Sequence, residues 1–293
     1  MCHLIARKFW TLFALAMFAL LVLHETRAAD NHVEVAGTGP DVLLIPGLAS
    51  AGAAMKPIAD ELSRCYRTHT FTLAGFAGQP ANPAPQIAGW ENSITEYIAK
   101  LDAKKAIVIG HSLGGFLGLK LAIDHPDRVS QLIVLDALPF LPAAMMPGAT
   151  VDAVRPQAEA MRKGIQAQPP ETFKAMQQQA LSSMTTQTQS VSTLVDWSVT
   201  SDRAAMADAY YELFTTDLRD PIAGIRSPTL VLVPWDASQR QDAATTLDMY
   251  RQQYQKLPQA QVKIVKGSRH FLTFDQPIAT NWAIEEFLGK CAK

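Results

Sequence analysis

The chain has 293 residues, 48% hydrophobic and 18% charged, with a formal net charge of −1. That balance belongs to an ordinary globular protein and excludes collagen-like, coiled-coil and wholly disordered chains. A pI near 6.7 supplies no basic excess for phosphate backbones, so no nucleic acid is expected as a partner.

Arg7 and Lys8 precede an apolar run from Phe9 to Leu23, and Thr26 and Ala28 allow cleavage after Ala28. The run is shorter than the roughly 20 residues of a membrane-spanning helix and fits the apolar region of a secretory signal peptide. Residues 1–28 are therefore expected to be a signal peptide, and the mature chain to be periplasmic or secreted with no stable membrane span. An uncleaved N-terminal anchor is the alternative. Processing would leave Cys65 and Cys291, an even count that permits a disulfide in an oxidising compartment.

Val33 and Val35 alternate with polar residues before Gly37-Thr38-Gly39-Pro40, a short strand and a turn. Val42 to Ile45 is a continuous apolar run ending at Pro46-Gly47, the pattern of a buried strand. Met55, Ile58, Ala59 and Leu62 fall at helical spacing. Arg67 to Leu73 reads as a strand, and a Pro-rich loop then leads to a helix around Ser93 to Leu101. Ala106 to Ile109 is another buried strand, running straight into Gly110-His111-Ser112-Leu113-Gly114-Gly115 and a helix that stops at His125-Pro126. Leu132 to Leu135 is a strand. From Pro139 to about Arg219 no strand pattern recurs. Strand Thr229 to Val233, a helix near Asp242 to Leu257, strand Val262 to Val265 and a helix near Gln276 to Gly289 complete the chain.

Strands alternating with helices imply an α/β fold with a mostly parallel sheet covered on both faces. Residues 29–138 and 220–293 are expected to form this core, and residues 139–219 a helical cap inserted into it. The cap methionines Met145, Met146, Met161, Met176, Met184 and Met206 are expected to be cap core, with the lining of an apolar pocket as the alternative.

Gly110-His111-Ser112-Leu113-Gly114 is a G-x-S-x-G sequence set between a buried strand and a helix, the context of a strained turn that exposes a nucleophilic serine. The helix N-terminus behind Ser112 favours negative charge there. His270, in the loop after the last strand, is the expected base; Ser112 and His270 both fall at the C-terminal edge of the sheet, where open α/β sheets build their sites. Asp236, after the strand Thr229 to Val233, is the expected acid. Asp136 is its main competitor and Asp242 a third candidate. The order Ser112, Asp236, His270 is that of α/β-hydrolases. The expected oxyanion donors are the main-chain N–H groups of Leu113 and of Leu48, with Ala49 as the alternative to Leu48. His111, His69 and His125 read as packing or surface groups. No His/Cys/Asp cluster has metal-ligand spacing and no nucleotide motif is present, so neither metal nor cofactor is expected.

Across about residues 40–290 the chain resembles the α/β-hydrolase superfamily, within its lidded serine hydrolases and esterases. The likeness rests on Leu44-Ile45-Pro46-Gly47, Gly110 to Gly115, Pro228 to Asp236 and Gly267 to Pro277. It implies a Ser–His–Asp triad, two main-chain oxyanion donors and a helical cap over the cleft. Three departures stand out. Pro46-Gly47 replaces the His-Gly of many relatives, Pro234-Trp235-Asp236 is one residue shorter than their Gly-x-x-Asp, and Gly75-Phe76-Ala77-Gly78 replaces a polar Gly-His-Gly loop. The resemblance also places the first and last helices on one sheet face, so Cys65 and Cys291 are expected either to form a disulfide or to be two buried thiols. The function read from these residues is a carboxylic-ester hydrolase acting on a small, apolar ester through an acyl-enzyme. Peptidase, thioesterase, carbon–carbon hydrolase and acyltransferase chemistry use the same triad and are the alternatives, because fold does not fix substrate. A non-catalytic small-molecule binding protein is the third reading.

Overall fold

Runs rich in Val, Ile and Leu become the strands of one seven-stranded sheet in the computed structural model, which describes residues 31–238 and 241–289. The strands are β1 (His32–Ala36), β2 (Asp41–Ile45), β3 (Arg67–Thr72), β4 (Ala106–His111), β5 (Val129–Leu135), β6 (Thr229–Trp235) and β7 (Gln261–Lys266). Their order is β1-β3-β2-β4-β5-β6-β7. β1 pairs antiparallel with β3, and all other neighbours are parallel. This is the α/β-hydrolase architecture, as expected. The expected leader, residues 1–28, lies outside the described residues.

β2 and β4 are buried along their whole length, which is why they read as unbroken apolar runs rather than alternating ones. Their side chains still alternate between two cores. Leu43, Ile45, Val108, Leu132 and Val134 face one layer, with Trp90, Ile94, Phe116 and Tyr254 packed on it. Val42, Leu44, Ile107, Ile109 and Ile133 face the other, with Ile58, Leu62 and Ile284. The first layer is built by α2 (Gln86–Ala99), α3 (Leu113–Asp124) and α8 (Ala243–Gln253). The second is built by α1 (Lys56–Leu62) and α9 (Pro277–Leu288). Cys65, just past α1, is disulfide-bonded; Cys291, its expected partner, lies outside the described residues.

Between β5 and β6 the chain forms a helical turn (Pro142–Met145) and four helices, α4 (Val151–Ala167), α5 (Pro170–Met184), α6 (Val191–Thr200) and α7 (Arg203–Thr215). α4 packs on α7 and α5 on α6. This segment also explains why α2 starts at Gln86, well before the expected Ser93. The Glu212 carboxylate on α7 accepts the main-chain N–H groups of Gln86 (2.7 Å) and Ile87 (2.9 Å), capping α2 from a distant part of the chain. Among the described residues no helix is long and apolar enough to cross a membrane.

Two glycines fix how closely α3 follows β4. A Cβ on Gly110 would sit 2.1 Å from the Gly114 carbonyl oxygen, and one on Gly114 would sit 2.2 Å from that of Ile45. Backbone cannot yield there as a flexible side chain does. Gly114→Ala is therefore expected to lower stability by about 2–3 kcal/mol or more, read as a shift of the urea midpoint. An unchanged midpoint would show that the strand–helix junction opens freely.

Candidate active site

Ser112 is the single residue between β4 and α3, held at φ 54° and ψ −118°. A non-glycine residue there costs of order 1–3 kcal/mol, supplied by the packing around it. Its N–H donates to the Leu135 carbonyl (2.9 Å) and its own carbonyl accepts from Phe116 N–H (3.0 Å). Leu113 opens α3, where main-chain N–H groups have no partner within the helix. On the neighbouring strand β2, the chain turns at Gly47, whose Cβ would lie 3.1 Å from Ser112 Cβ and 3.2 Å from His111 Nδ1. Glycine thus lets the Leu48–Ala49 turn approach Ser112. Leu48 and Ala49 line the same cavity as Ser112 and His270.

The carboxylate beside His270 is Asp136, which corrects the expectation for Asp236. His270 Nδ1 lies 2.6 Å from Asp136 Oδ2. Asp136 follows β5 directly, in a left-handed conformation (φ 47°), and its N–H donates to the Leu232 carbonyl (3.0 Å). The Tyr250 hydroxyl on α8 donates to its other oxygen, Oδ1. Burial by itself would raise the Asp136 pKa, but the facing His270 and the hydrogen bonds from His270 and Tyr250 outweigh it and hold the carboxyl below its ordinary range. Burial and the same carboxylate push Tyr250 well above the usual phenol value, so it stays a donor.

Asp236 is engaged elsewhere. It accepts the N–H (3.0 Å) and the hydroxyl of Ser238 in its own turn and lies 3.5 Å from Arg269 Nε. The short Pro234-Trp235-Asp236 segment stays in register with β7 to the Trp235–Lys266 pair, so the carboxylate emerges beside Arg269 instead of reaching His270. Asp242 is the N-cap of α8, accepting Thr245 N–H (2.8 Å).

His111 is buried behind the pair. Its Nε2–H donates to the His270 carbonyl (2.8 Å), and its ring packs 4.6 Å from the His270 ring. Burial, with the nearby His270 second, pushes its pKa down to about 3, so it is neutral and serves as a prop. The folded value lies below the ordinary histidine value of 6.5. Its stabilising share is complete above that value and is lost as pH falls from about 6.5 towards 3, because only the unfolded chain takes up the proton. His111→Gln keeps a donor without the titration and is expected to flatten the acid limb, by up to ~1.4 kcal/mol per pH unit, in urea melts between pH 6.5 and 4. Parallel acid limbs would reject this role.

A second clamp holds the histidine loop to the end of α5. Buried Asp275 accepts Thr185 Oγ (2.6 Å) and Thr186 N–H (2.9 Å), just past α5, and also Arg269 N–H (2.8 Å). The Phe271 N–H donates to the Met184 carbonyl (3.2 Å). His69 and His125 take no part in this site: His69 is buried between Asp41 and Tyr97 (2.8 Å to each), and His125 lies 3.6 Å from Glu91.

Three cavities meet around His270. One of about 320 Å³ lies between the helices that join β5 to β6 and the sheet edge, and reaches Ser112, Leu48 and Ala49. A smaller one of about 170 Å³ runs past Ser112, Phe116, Asp136 and Tyr250. A wide one of about 870 Å³ shares Asp136, Tyr250 and His270 with the small one and holds Arg269 and Met145. Met184 and Met206 line the 320 Å³ chamber; Met145, Met146, Met176 and Met184 are exposed, not cap core as expected. Among the described residues no group of three or more His, Cys, Asp or Glu could hold a metal ion.

Sequence reasoning gave no sign of Tyr250, which belongs to an amphipathic helix pattern, or of the Asp275 clamp. Asp136 carried one signal, its place directly after a buried strand.

A profile of the Alpha/beta hydrolase family matches residues 42–281. The pimeloyl-[acyl-carrier protein] methyl ester esterase of Aliivibrio salmonicida is 38% identical over 103 residues, 35% of this chain and 38% of that protein. The enzyme of the same name from Aeromonas hydrophila is 33% identical over 118 residues, 40% of this chain and 45% of that protein. The chain thus spans less than half the length of the curated relatives it matches. Among solved structures, an enol-lactonase from Burkholderia xenovorans superposes with a TM-score of 0.72 at 19% identity, covering 89% of this chain and 96% of that one. A thermophilic esterase from Thermogutta terrifontis gives 0.73 at 19% identity, covering 88% and 92%.

Proposed function

The chain belongs to the Alpha/beta hydrolase family, and from that premise we propose that it is a serine carboxylic-ester hydrolase whose triad is Ser112, His270 and Asp136. The observation that carries this reading is the 2.6 Å contact between His270 and the largely enclosed Asp136, beside a strained Ser112 on the same cavity walls. Ser112 Oγ attacks the ester carbonyl carbon as His270 Nε2 takes its proton. Asp136 fixes the Nδ1–H tautomer and stabilises the imidazolium. The N–H groups of Leu113 and Leu48 receive the oxyanion. Collapse breaks the carbon–oxygen bond, and His270 returns the proton to the departing alcohol. A water, deprotonated by His270, then attacks the acyl-Ser112 carbonyl; the acyl carbon–Oγ bond breaks, His270 returns the proton to Ser112 Oγ, and the acid leaves.

The two arms of the ester follow the cavities. The alcohol must leave past His270, and the small cavity and the wide one both border Asp136, Tyr250 and His270. The acyl arm then occupies the 320 Å³ chamber beside the Leu48–Ala49 turn. The names of the curated relatives, methyl ester esterases, support ester chemistry. We also propose a periplasmic or secreted location, supported by the leader-like residues 1–28 and the disulfide at Cys65. The test is a serine-directed fluorophosphonate with hydrolysis of a short p-nitrophenyl ester. Labelling that maps to Ser112 with ester turnover is the expected result. A folded protein that neither labels nor turns over the ester would overturn the reading.

A further inference from the structure

The 320 Å³ chamber carries an unusual combination of features for its acyl arm. Among the described residues its walls hold, apart from His111 and His270, no ionisable group other than a tyrosine: no Lys, Arg, Asp or Glu of these lines it. His111 is neutral at physiological pH. Most of the lining is apolar, from Leu141, Leu181, Leu194, Met206 and Leu213. Four cap and core residues beyond the triad bring other polar side-chain atoms: Ser50, Gln177, Ser198 and Tyr210. Two of these have spent their donors. Ser50 Oγ donates to the Leu48 carbonyl (3.2 Å), and Ser198 Oγ donates to Gln177 Oε1 (2.9 Å).

The other two have not. The Ser198 bond fixes the Gln177 amide by its oxygen, and among the described residues its Nε2 donates to nothing. Tyr210 stacks on Phe214 at 4.4 Å and 19°, which holds its ring in place. Its hydroxyl makes no hydrogen bond among the described residues, and burial pushes its pKa up to about 12, so it remains protonated. The chamber thus presents two half-buried side-chain donors whose groups are held by their neighbours, Gln177 Nε2 and the Tyr210 hydroxyl. Its volume lies at the lower end of the roughly 300–1,000 Å³ usual for ligand pockets.

Resting on the ester-hydrolase reading above, we infer that Gln177 and Tyr210 form a specificity site for an uncharged hydrogen-bond acceptor, a ketone or ether oxygen, carried on a medium-length apolar acyl chain. A chain ending in a carboxylate is excluded, because among the described residues no Lys or Arg lines the chamber to offset the loss of water. The alcohol arm, on the side of the wide cavity with Arg269, is free of that restriction.

The test uses p-nitrophenyl esters of octanoic acid, of 7-oxo-octanoic acid and of the monoacid form of octanedioic acid, on the full enzyme. The wild type is expected to favour the oxo ester over the plain ester by about five- to tenfold in kcat/KM, and to process the carboxylate ester at least about a hundredfold more slowly than the plain one. Tyr210→Phe and Gln177→Met are each expected to bring the oxo-to-plain ratio close to one. A general packing defect would lower both rates together and leave the ratio in place, so the ratio is the readout. An oxo-to-plain ratio near one in the wild type, a ratio that either variant leaves unmoved, or a carboxylate ester cleaved as fast as the plain ester would overturn the inference. An enzyme that labels with fluorophosphonate at Ser112 but gives any of these results rejects the specificity site alone. One that fails to label rejects the hydrolase reading beneath it.

Discussion

Ser112→Ala is expected to abolish fluorophosphonate labelling and to cut kcat by about 10⁴–10⁶-fold, leaving only what oxyanion donors and binding supply. The magnitude follows from what the position provides. Ser112 stands alone between a buried strand and a helix N-terminus, on cavity walls it shares with His270, and alanine offers no oxygen to acylate. The substitution removes one half-buried hydroxyl and no packed carbon, and a residue with a Cβ already holds the positive φ. The variant should therefore fold, and its melting temperature should stay close to that of the wild type. Turnover within tenfold of wild type would mean that another group attacks the ester, and the triad assignment would fail.

The second large effect separates the two acids. Asp136→Asn is expected to lower kcat by about 10³–10⁴-fold, whereas Asp236→Asn is expected to stay within about threefold of the wild type. Both His270 Nδ1–H and the Tyr250 hydroxyl point donors at the Asp136 carboxylate. An asparagine there turns an NH2 towards one of them, so the imidazole loses its tautomer or Tyr250 loses its acceptor. Asp236 holds Ser238 and Arg269, contacts that concern the turn rather than the imidazole. The reverse order of effects, with Asp236→Asn the crippled variant, would return the acid to the strand that sequence favoured. Circular dichroism and thermal melts of both variants distinguish lost catalysis from lost fold.

The local parts of this protein are legible in its amino-acid sequence. Val42 to Ile45 and Ala106 to Ile109 announce buried parallel strands because both of their faces are covered, and only apolar side chains are stable there. Gly110 and Gly114 announce the turn at Ser112, since any Cβ at either position would strike backbone. His270 is placed by chain order alone, after the last strand. These are properties of a residue and its immediate neighbours, and they are written in spacing and composition.

What only the tertiary structure decided is which distant groups meet. Asp136 and Asp236 each follow a buried strand, and nothing in either local sequence says which carboxylate reaches an imidazole on a third strand's loop. The choice came from the β6–β7 register, which spends Asp236 on Ser238 and Arg269, and from α8, which brings Tyr250 to Asp136. The early start of α2 has the same origin, a Glu212 cap from α7. So does the meeting of Gln177 and Tyr210 on the 320 Å³ chamber, which exists because α5, α6 and α7 fold over the sheet edge. Strand and turn propensities act over a few residues and can be read in order. Hydrogen bonds across more than a hundred residues depend on the register of a whole sheet, and that is settled only when the chain packs.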